Sequence, residues 1–502
     1  MRVSDSRGSA PRPEGDGHPA PRDPARLVAW ARAYLPGWAR RHRWFLVAFG
    51  LGALLRLVTV LGYRPALWFP DSYTYVVTAM RPRPDLVRPA GYSLFLRLLE
   101  PFHSFALVVI VQHVLGLLVA VMIYVTILRR GGPRWAAVLA CVPVLSDAYQ
   151  IQLEHLLVSD TLFTFLLVGA VCLAMRRPPT PRSAAALGLL VAVATLTRTV
   201  GLPLVAVFAL FLLAYGVRHA SGAVRPGRAV ARLTVPFLVA ALLPVAGYAG
   251  WFYATYQRVG LVGSNGVFLY ARTMSFADCS VMRPPPDLAV LCDPRPPASR
   301  PASQEYIWNP QAPLVKLPGI TFTEETDALA GRFASLAIRS QPLDYLGGML
   351  TELGRSFTPG RPVYPDAETY GYYEFPSTTP PSPGRHPAVV GKEFAGRYER
   401  GSITPRVVEP FAGMMRAYQD AAWLPGTALL VLLLIPPAAW VVRARVSSKR
   451  AASGWGVPWA TAWTLLLVPA ATAQFDYRYV LPAAPLAGLA AALSVKAADR
   501  RA

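Results

Sequence analysis

Charge is scarce in this chain, and so are the residues that build metal and redox centres. Asp, Glu, Lys and Arg make up 16% of 502 residues, and there are only 4 Cys and 7 His. The cysteines and histidines never fall at metal-ligand spacing, no phosphate-binding GxxxxGK loop occurs, and no GxGxxG turn opens a helix after a strand. The signatures of zinc-finger, P-loop and dinucleotide-dependent proteins are therefore absent. Internal repeats are lacking too, although transporters are commonly assembled from repeated halves. Acidic residues are outnumbered, 28 against 50 basic ones, for a formal net charge of +22. That balance suits either a nucleic-acid partner or the cytoplasmic loops of a membrane protein, and the position of the charges decides between them.

Hydrophobic residues supply 53% of the chain. Many apolar runs reach about 20 residues without a charge, which is the length of a transmembrane helix. They fall near 44–63, 105–128, 135–152, 156–175, 183–198, 200–217, 233–254, 424–442, 456–473 and 479–496. With the N-terminus inside, the cytoplasmic connections contain Arg129, Arg130 and Arg134, then Arg176 to Arg182, Arg218 to Arg232, Arg443 to Arg450, and Lys496 to Arg501. The short outer connections hold only Arg198 and Arg478, and the turn from Asp147 to Glu154 holds no Lys or Arg. This asymmetry is the positive-inside rule at every crossing. The expectation is an all-α integral membrane protein with about ten transmembrane helices, multi-pass in the cell membrane with both termini cytoplasmic, and no nucleic-acid partner.

The expected organisation runs from a disordered cytoplasmic tail (1–43) through helices 1–7 (44–254), a large extracytoplasmic loop (255–423) and helices 8–10 (424–496) to a short tail (497–502). The N-terminal tail lacks an apolar core of its own and does not read as a cleavable signal. The first outer loop (64–104) contains two partly apolar segments, Asp71–Met80 and Tyr92–Leu99, that suit short interfacial helices. In the large loop, Thr321-Phe-Thr-Glu324 has a capping-box pattern before a helix whose apolar face is Leu329, Phe333, Leu336 and Ala337. After Pro342 a second run, Leu346, Met349, Leu350, Leu353 and Phe357, has interfacial-helix spacing, and 359–385 reads as irregular. Cys279 and Cys292 lie in that loop, on the oxidising side, and are expected to form a disulfide. Cys141 and Cys172 lie in apolar runs and read as packing residues.

Several polar residues stand where the membrane ends. Asp71, in Trp68-Phe-Pro-Asp71-Ser-Tyr-Thr-Tyr75, is either a helix cap or a carboxylate set for chemistry at the membrane surface. Asp160, in Glu154-His155-Leu-Leu-Val-Ser-Asp160, must cap its helix, reach the interface or face a polar cavity. His155 is either a polar anchor or a substrate-binding group. Arg56, Arg198 and Arg478 can each be explained by snorkelling to the headgroups. Arg88, Arg198 and Arg478 together also form a phosphate-binding set, because guanidinium groups grip phosphate bidentately and stay charged.

The order of these segments resembles the GT-C superfamily of integral-membrane glycosyltransferases, in particular the bacterial polyprenyl-phosphate-sugar-dependent enzymes related to protein O-mannosyltransferases and lipid A aminoarabinose transferases. The likeness lies in Phe69-Pro-Asp71-Ser-Tyr-Thr-Tyr75, Arg88-Pro-Ala-Gly91-Tyr92, Leu157-Val-Ser-Asp160, Leu196-Thr-Arg198-Thr, and Tyr477-Arg478-Tyr-Val-Leu-Pro482. It covers 44–255 best. It implies a GT-C-like fold and transfer of a hexosyl or pentosyl group from a lipid-phosphate carrier to a glycan, lipid or protein acceptor. Asp71 and Asp160 would be catalytic, Arg88, Arg198 and Arg478 would bind the donor phosphate, and Tyr75, Tyr92, His155 and Tyr477 would contact substrate. Many relatives carry a second acidic residue beside the first-loop Asp, whereas Ser72 follows Asp71 here. No cofactor and no metal ligand is assigned, and metal dependence is left open. A transporter or flippase of a lipid-linked substrate and a non-catalytic envelope assembly protein are the alternatives.

The charge pattern makes one prediction by itself. A cysteine introduced near Gly384 should react with a membrane-impermeant thiol reagent in intact cells, and one near Ser447 should be protected. The opposite pattern would overturn the orientation.

Overall fold

The computed structural model describes residues 24–176, 178–219, 226–381, 386–446 and 454–495; Gly384, Ser447 and the two tails, 1–23 and 496–502, lie outside them. Helix formation follows the apolar runs. Helices occupy Gly37–Gly62, Phe105–Arg129, Thr199–Arg218, Gly227–Tyr256 and Gly426–Arg443, and by length and composition these 5 are able to cross a membrane. Arg134–Ser146 and Ala148–His155 form a bent pair, at 51°, that would make a sixth. The bend has two local causes: Pro143 sits inside the first helix, and Asp147 caps the second by accepting from the Gln150 N–H. Asp160–Ala174, Pro181–Thr197, Gly456–Thr472 and Ala483–Ser494 are shorter apolar helices.

Two expected boundaries shift. The first helix begins at Pro24, well before the expected start of the span, so 24–43 are helical and not a disordered tail. The helix after Thr321 begins later than its sequence pattern suggests. Thr323 is the cap of Glu324–Ser340, its hydroxyl accepting from the Thr326 N–H, because the acidic residues at 324, 325 and 327 then fall in the first turn beside the positive helix end.

The only sheet among the described residues is the antiparallel pair Tyr63–Arg64 with Arg406–Val407, which ties the end of the first helix to the far end of the large loop. Three cores hold that loop, one of them joining Phe394 and Tyr398 to Tyr75, Tyr92 and Phe105. Another gathers Val267, Tyr270, Met274, Leu291, Tyr306, Phe333 and Ala337, with the Cys279–Cys292 disulfide packed against it. The third joins Tyr63, Leu67 and Phe69 to Tyr373, Phe375, Ala412, Met415, Phe475 and Tyr477. Chain segments more than 300 residues apart thereby become neighbours of the first outer loop. Within that loop, Pro70–Met80 and Gly91–Leu99 are helical. Gly91 permits the second of these to touch the end of Pro181–Thr197, since a Cβ there would lie 2.4 Å from the Leu196 carbonyl oxygen.

Arg56 does not snorkel. It is buried, and its Nε and Nη2 each donate to Glu154 at 2.7 Å while Nη1 and Nη2 also donate to the carbonyls of Leu145 and Val144. His113 bridges Glu154 Oε2 at 3.0 Å and His155 Nδ1 at 3.1 Å, and the second ring nitrogen of His155 donates to the Tyr63 carbonyl at 2.8 Å. A buried ion pair is stable only while every member keeps its partners. Gly116 leaves the room: a Cβ there would lie 2.1 Å from Glu154 Oε1. Gly116→Ala should therefore displace Glu154 from Arg56 and destabilise the protein by roughly 3–5 kcal/mol, the cost of a broken buried pair. A thermal midpoint in detergent matching that of the parent would show that the pair tolerates the methyl group.

Candidate active site

Pro70 occupies the first turn of Pro70–Met80, and the capping duty falls to Ser72, whose Oγ accepts from the Phe69 N–H at 2.9 Å. Asp71 is thus free of the cap role its position suggested, although it still sits at the positive end of the helix. Its carboxylate is buried and clamped from two sides. Arg88 Nη2 donates to Oδ1 at 2.5 Å, and Arg478 Nη2 donates to Oδ2 at 3.0 Å. Burial alone would raise the carboxyl, but the Arg88 and Arg478 guanidinium groups outweigh it and hold Asp71 well below the usual carboxylate range.

Each arginine is positioned by local structure. Asp85 Oδ1 accepts from the Val87 and Arg88 N–H groups in an Asx turn, and the loop is pinned by the Gly263 N–H donating to the Leu86 carbonyl. Asp476 caps Tyr477–Val480 by accepting from the Arg478 N–H, and Tyr373 OH donates to its other oxygen at 2.9 Å. The Arg478 guanidinium stacks 4.8 Å from the centre of the Phe69 ring. Arg198, at the end of Pro181–Thr197, pairs with Asp160, the first residue of its own helix, and lies over Phe163 and Tyr479 at 5.9 and 5.4 Å.

Asp71, Arg88, Arg198, Arg478 and Tyr75 all line one cavity of about 680 Å³, whose far wall comes from the large loop through Gln304, Trp308, Glu368 and Tyr372. The size is within the range of small-molecule sites. Tyr75 OH shares a hydrogen bond with Ser159 Oγ at 3.1 Å. The other expected substrate contacts lie elsewhere. Tyr92 OH donates to Gln112 in the protein interior, His155 belongs to the buried Arg56–Glu154 network, and Tyr477 OH donates to the Pro362 carbonyl. Asp160 is buried behind the wall as the partner of Arg198, a position from which it orients that arginine.

The donor set does not fit a divalent cation. No group of three or more His, Cys, Asp or Glu comes together among the described residues, and Asp71 is held by Arg88 and Arg478 while Asp160 pairs with Arg198. Sequence reasoning missed Phe69, Tyr479, Asp476 and the large-loop wall; the Asp-Tyr-Arg-Tyr order at 476–479 was visible, but not that Asp476 holds Arg478.

No protein-family model matches the chain, and no characterised protein matches it in sequence. Its likeness is to solved structures of one enzyme. The chain is similar to an archaeal oligosaccharyltransferase. The Archaeoglobus fulgidus oligosaccharyltransferase tethered to an acceptor peptide shares 12% identity over 90% of this chain and 56% of its own, at a TM-score of 0.29. Its apo form gives 13%, 89%, 56% and 0.30, and the same enzyme, AglB, in complex with an inhibitory peptide and a dolichol-phosphate gives 12%, 90%, 56% and 0.29. The chain therefore spans little more than half the length of these neighbours.

Replacing Arg198 by Gln would leave the buried Asp160 carboxylate without its cation. Arg198→Gln is expected to lower stability by several kcal/mol, and Arg198→Gln with Asp160→Asn to recover most of the loss, as for a coupled buried pair. Additive effects in a double-mutant cycle would show that the two residues act separately.

Proposed function

We propose that this chain is a membrane glycosyltransferase that moves a sugar from a polyprenyl-phosphate carrier to an acceptor hydroxyl at the extracytoplasmic face. The observation that carries the reading is the clamp at the cavity wall, where one carboxylate able to take a proton is held between two guanidinium groups able to hold a phosphate. In the accompanying topology, about ten helices cross the membrane, 255–423 lies outside, and both termini are cytoplasmic.

The chemistry is a displacement at the anomeric carbon. The acceptor oxygen forms a bond to that carbon, the bond from carbon to phosphate oxygen breaks with its electron pair staying on the phosphate, and the hydroxyl proton passes to Asp71. A phosphodiester with one negative charge becomes a monoester with a second, and Arg88, Arg198 and Arg478 stabilise that developing charge. In the free protein Asp71 is a weak base, because its carboxylate is held by two cations. Donor phosphate competes for the same guanidinium groups. As they turn toward it, burial, which pushes the carboxyl up, becomes the dominant influence on Asp71, and the carboxylate becomes a stronger base at the moment the donor is in place.

Asp71→Asn should reduce transfer from a purified polyprenyl-phosphate sugar by at least about 10²-fold, the lower end of what a general base contributes. Monodisperse protein with near-normal turnover would remove Asp71 as the base. The pH dependence has a definite sign. With a low pKa in the free protein and a higher one in the donor complex, activity is lost as pH falls through the pKa of the state being measured. The acid limb of kcat should therefore lie at higher pH than that of kcat/KM for the donor, and coincident limbs would show that the donor does not loosen the clamp.

A further inference from the structure

The helix Pro342–Arg355 is built inside out. Its carboxylate Glu352 is buried, where it accepts from the Phe475 N–H at 2.5 Å and from Tyr364 OH, and Tyr345 OH donates to the Ala471 carbonyl at 3.0 Å. Its leucines face the other way. Leu343, Leu346 and Leu350 are 80%, 47% and 55% exposed, and they share their face with exposed Gly347, Thr351 and Gly354. These positions follow the 3, 4, 7 and 11 residue spacing of a single helical stripe that carries no charge. In water such a stripe leaves leucine side chains unburied and forgoes the stabilisation that apolar burial brings.

The depth of the helix is set by its neighbours. Its C-terminal end meets the start of the membrane-length helix Gly426–Val446, since a Cβ on Gly426 would lie 2.5 Å from the Ser356 carbonyl and 2.7 Å from that of Thr358. Tyr345 is bonded to the end of the apolar helix Gly456–Thr472. Those two ends lie on the same side, because the chain leaves through one helix and returns through the next. Pro342–Arg355 therefore runs across the place where two apolar helices emerge, and Gly426–Val446 exposes apolar side chains of its own, Val431 and Leu434 among them.

We propose that Pro342–Arg355 lies in the bilayer interface, with Leu343, Leu346 and Leu350 seated among the acyl chains just beneath the headgroups. Interfacial helices sink an uncharged face to this depth. The seat also fixes the cavity, because the Gly456–Thr472 end that the helix touches contributes Val468, Pro469 and Thr472 to the cavity wall. The proposal rests on the membrane reading and is independent of sugar transfer.

The test uses the full-length protein in phosphatidylcholine vesicles. Leu346→Cys and Leu350→Cys are labelled with a bimane fluorophore, with exposed Ser402→Cys as the water-facing control and the unsubstituted protein, whose free thiols Cys141 and Cys172 are buried or half-buried, as background. Nitroxide-bearing phosphatidylcholine should quench the labels at 346 and 350 several-fold more than the label at 402, and aqueous iodide should show the opposite order. Iodide quenching at 346 and 350 equal to that at 402 would place the stripe in water and overturn the proposal. Shielding from both quenchers, with oxidative disulfide cross-linking of the unlabelled Leu346→Cys and Leu350→Cys proteins that rises with protein density, would show that a second copy of the chain covers the stripe, which overturns it equally. Two separate label positions and size-exclusion profiles guard against a variant that fails to fold.

Discussion

Asp71 accepts from Arg88, 17 residues away, and from Arg478, 407 residues away, and these two contacts draw the first outer loop and the last helices of the chain to one point. The buried Asp71 carboxylate is tolerable only while it stays paired, since an unpaired ion in such a place costs several kcal/mol. Much of the surrounding structure serves that condition. The Asx turn at Asp85 aims Arg88, Asp476 and Tyr373 hold the segment that carries Arg478, and Phe69 lies under its guanidinium plane. The aromatic core from Tyr63 to Tyr477 makes these segments one body, so the clamp is assembled by folding and not by substrate.

Beneath the clamp runs a second polar system with a different purpose. Arg56, Glu154, His113 and His155 satisfy one another in the interior, and His155 continues to the Tyr63 carbonyl. The backbone then follows suit: the Leu67 N–H donates to the His155 carbonyl and the Leu157 N–H to the Leu67 carbonyl. This pairing sets the segment leading to Asp71 beside the segment leading to Asp160. The two carboxylates are therefore registered through backbone contacts that neither residue makes, and the Asp160–Arg198 pair takes its place relative to the clamp from them.

The large loop is more than a cover. It supplies the far wall of the cavity, a disulfide-bearing core, and a helix whose leucines point away from the protein. Ligand-binding surfaces are commonly built from loops on a rigid scaffold, and here the scaffold is the helical layer whose ends the loop spans. An uncharged stripe on such a loop makes physical sense only where water is scarce, and this connects the loop's position with the lipid-linked donor proposed for the cavity.

What the sequence determined by itself was local. Apolar length placed a helix on each hydrophobic run, and the leucine spacing after Pro342 announced an amphipathic helix, because each of these depends on neighbours within a few residues. Even there, competition between adjacent threonines moved a cap from Thr321 to Thr323, and Ser72 took the capping role from Asp71. The residue types of the site were also legible, since an acidic residue or an arginine at the end of an apolar run needs an explanation. Only the tertiary structure decided what that explanation was in each case. Arg56, Arg198 and Arg478 looked alike in sequence, yet one is locked to Glu154 in the interior, one to Asp160 at the cavity wall, and one to Asp71 within the clamp. Tyr75 reached the cavity while Tyr92, His155 and Tyr477 turned to carbonyls and side chains elsewhere. A charge in a poorly solvated place takes whichever opposite charge the fold brings to it, and partners 98 or 407 residues away are chosen by packing, which no local pattern encodes.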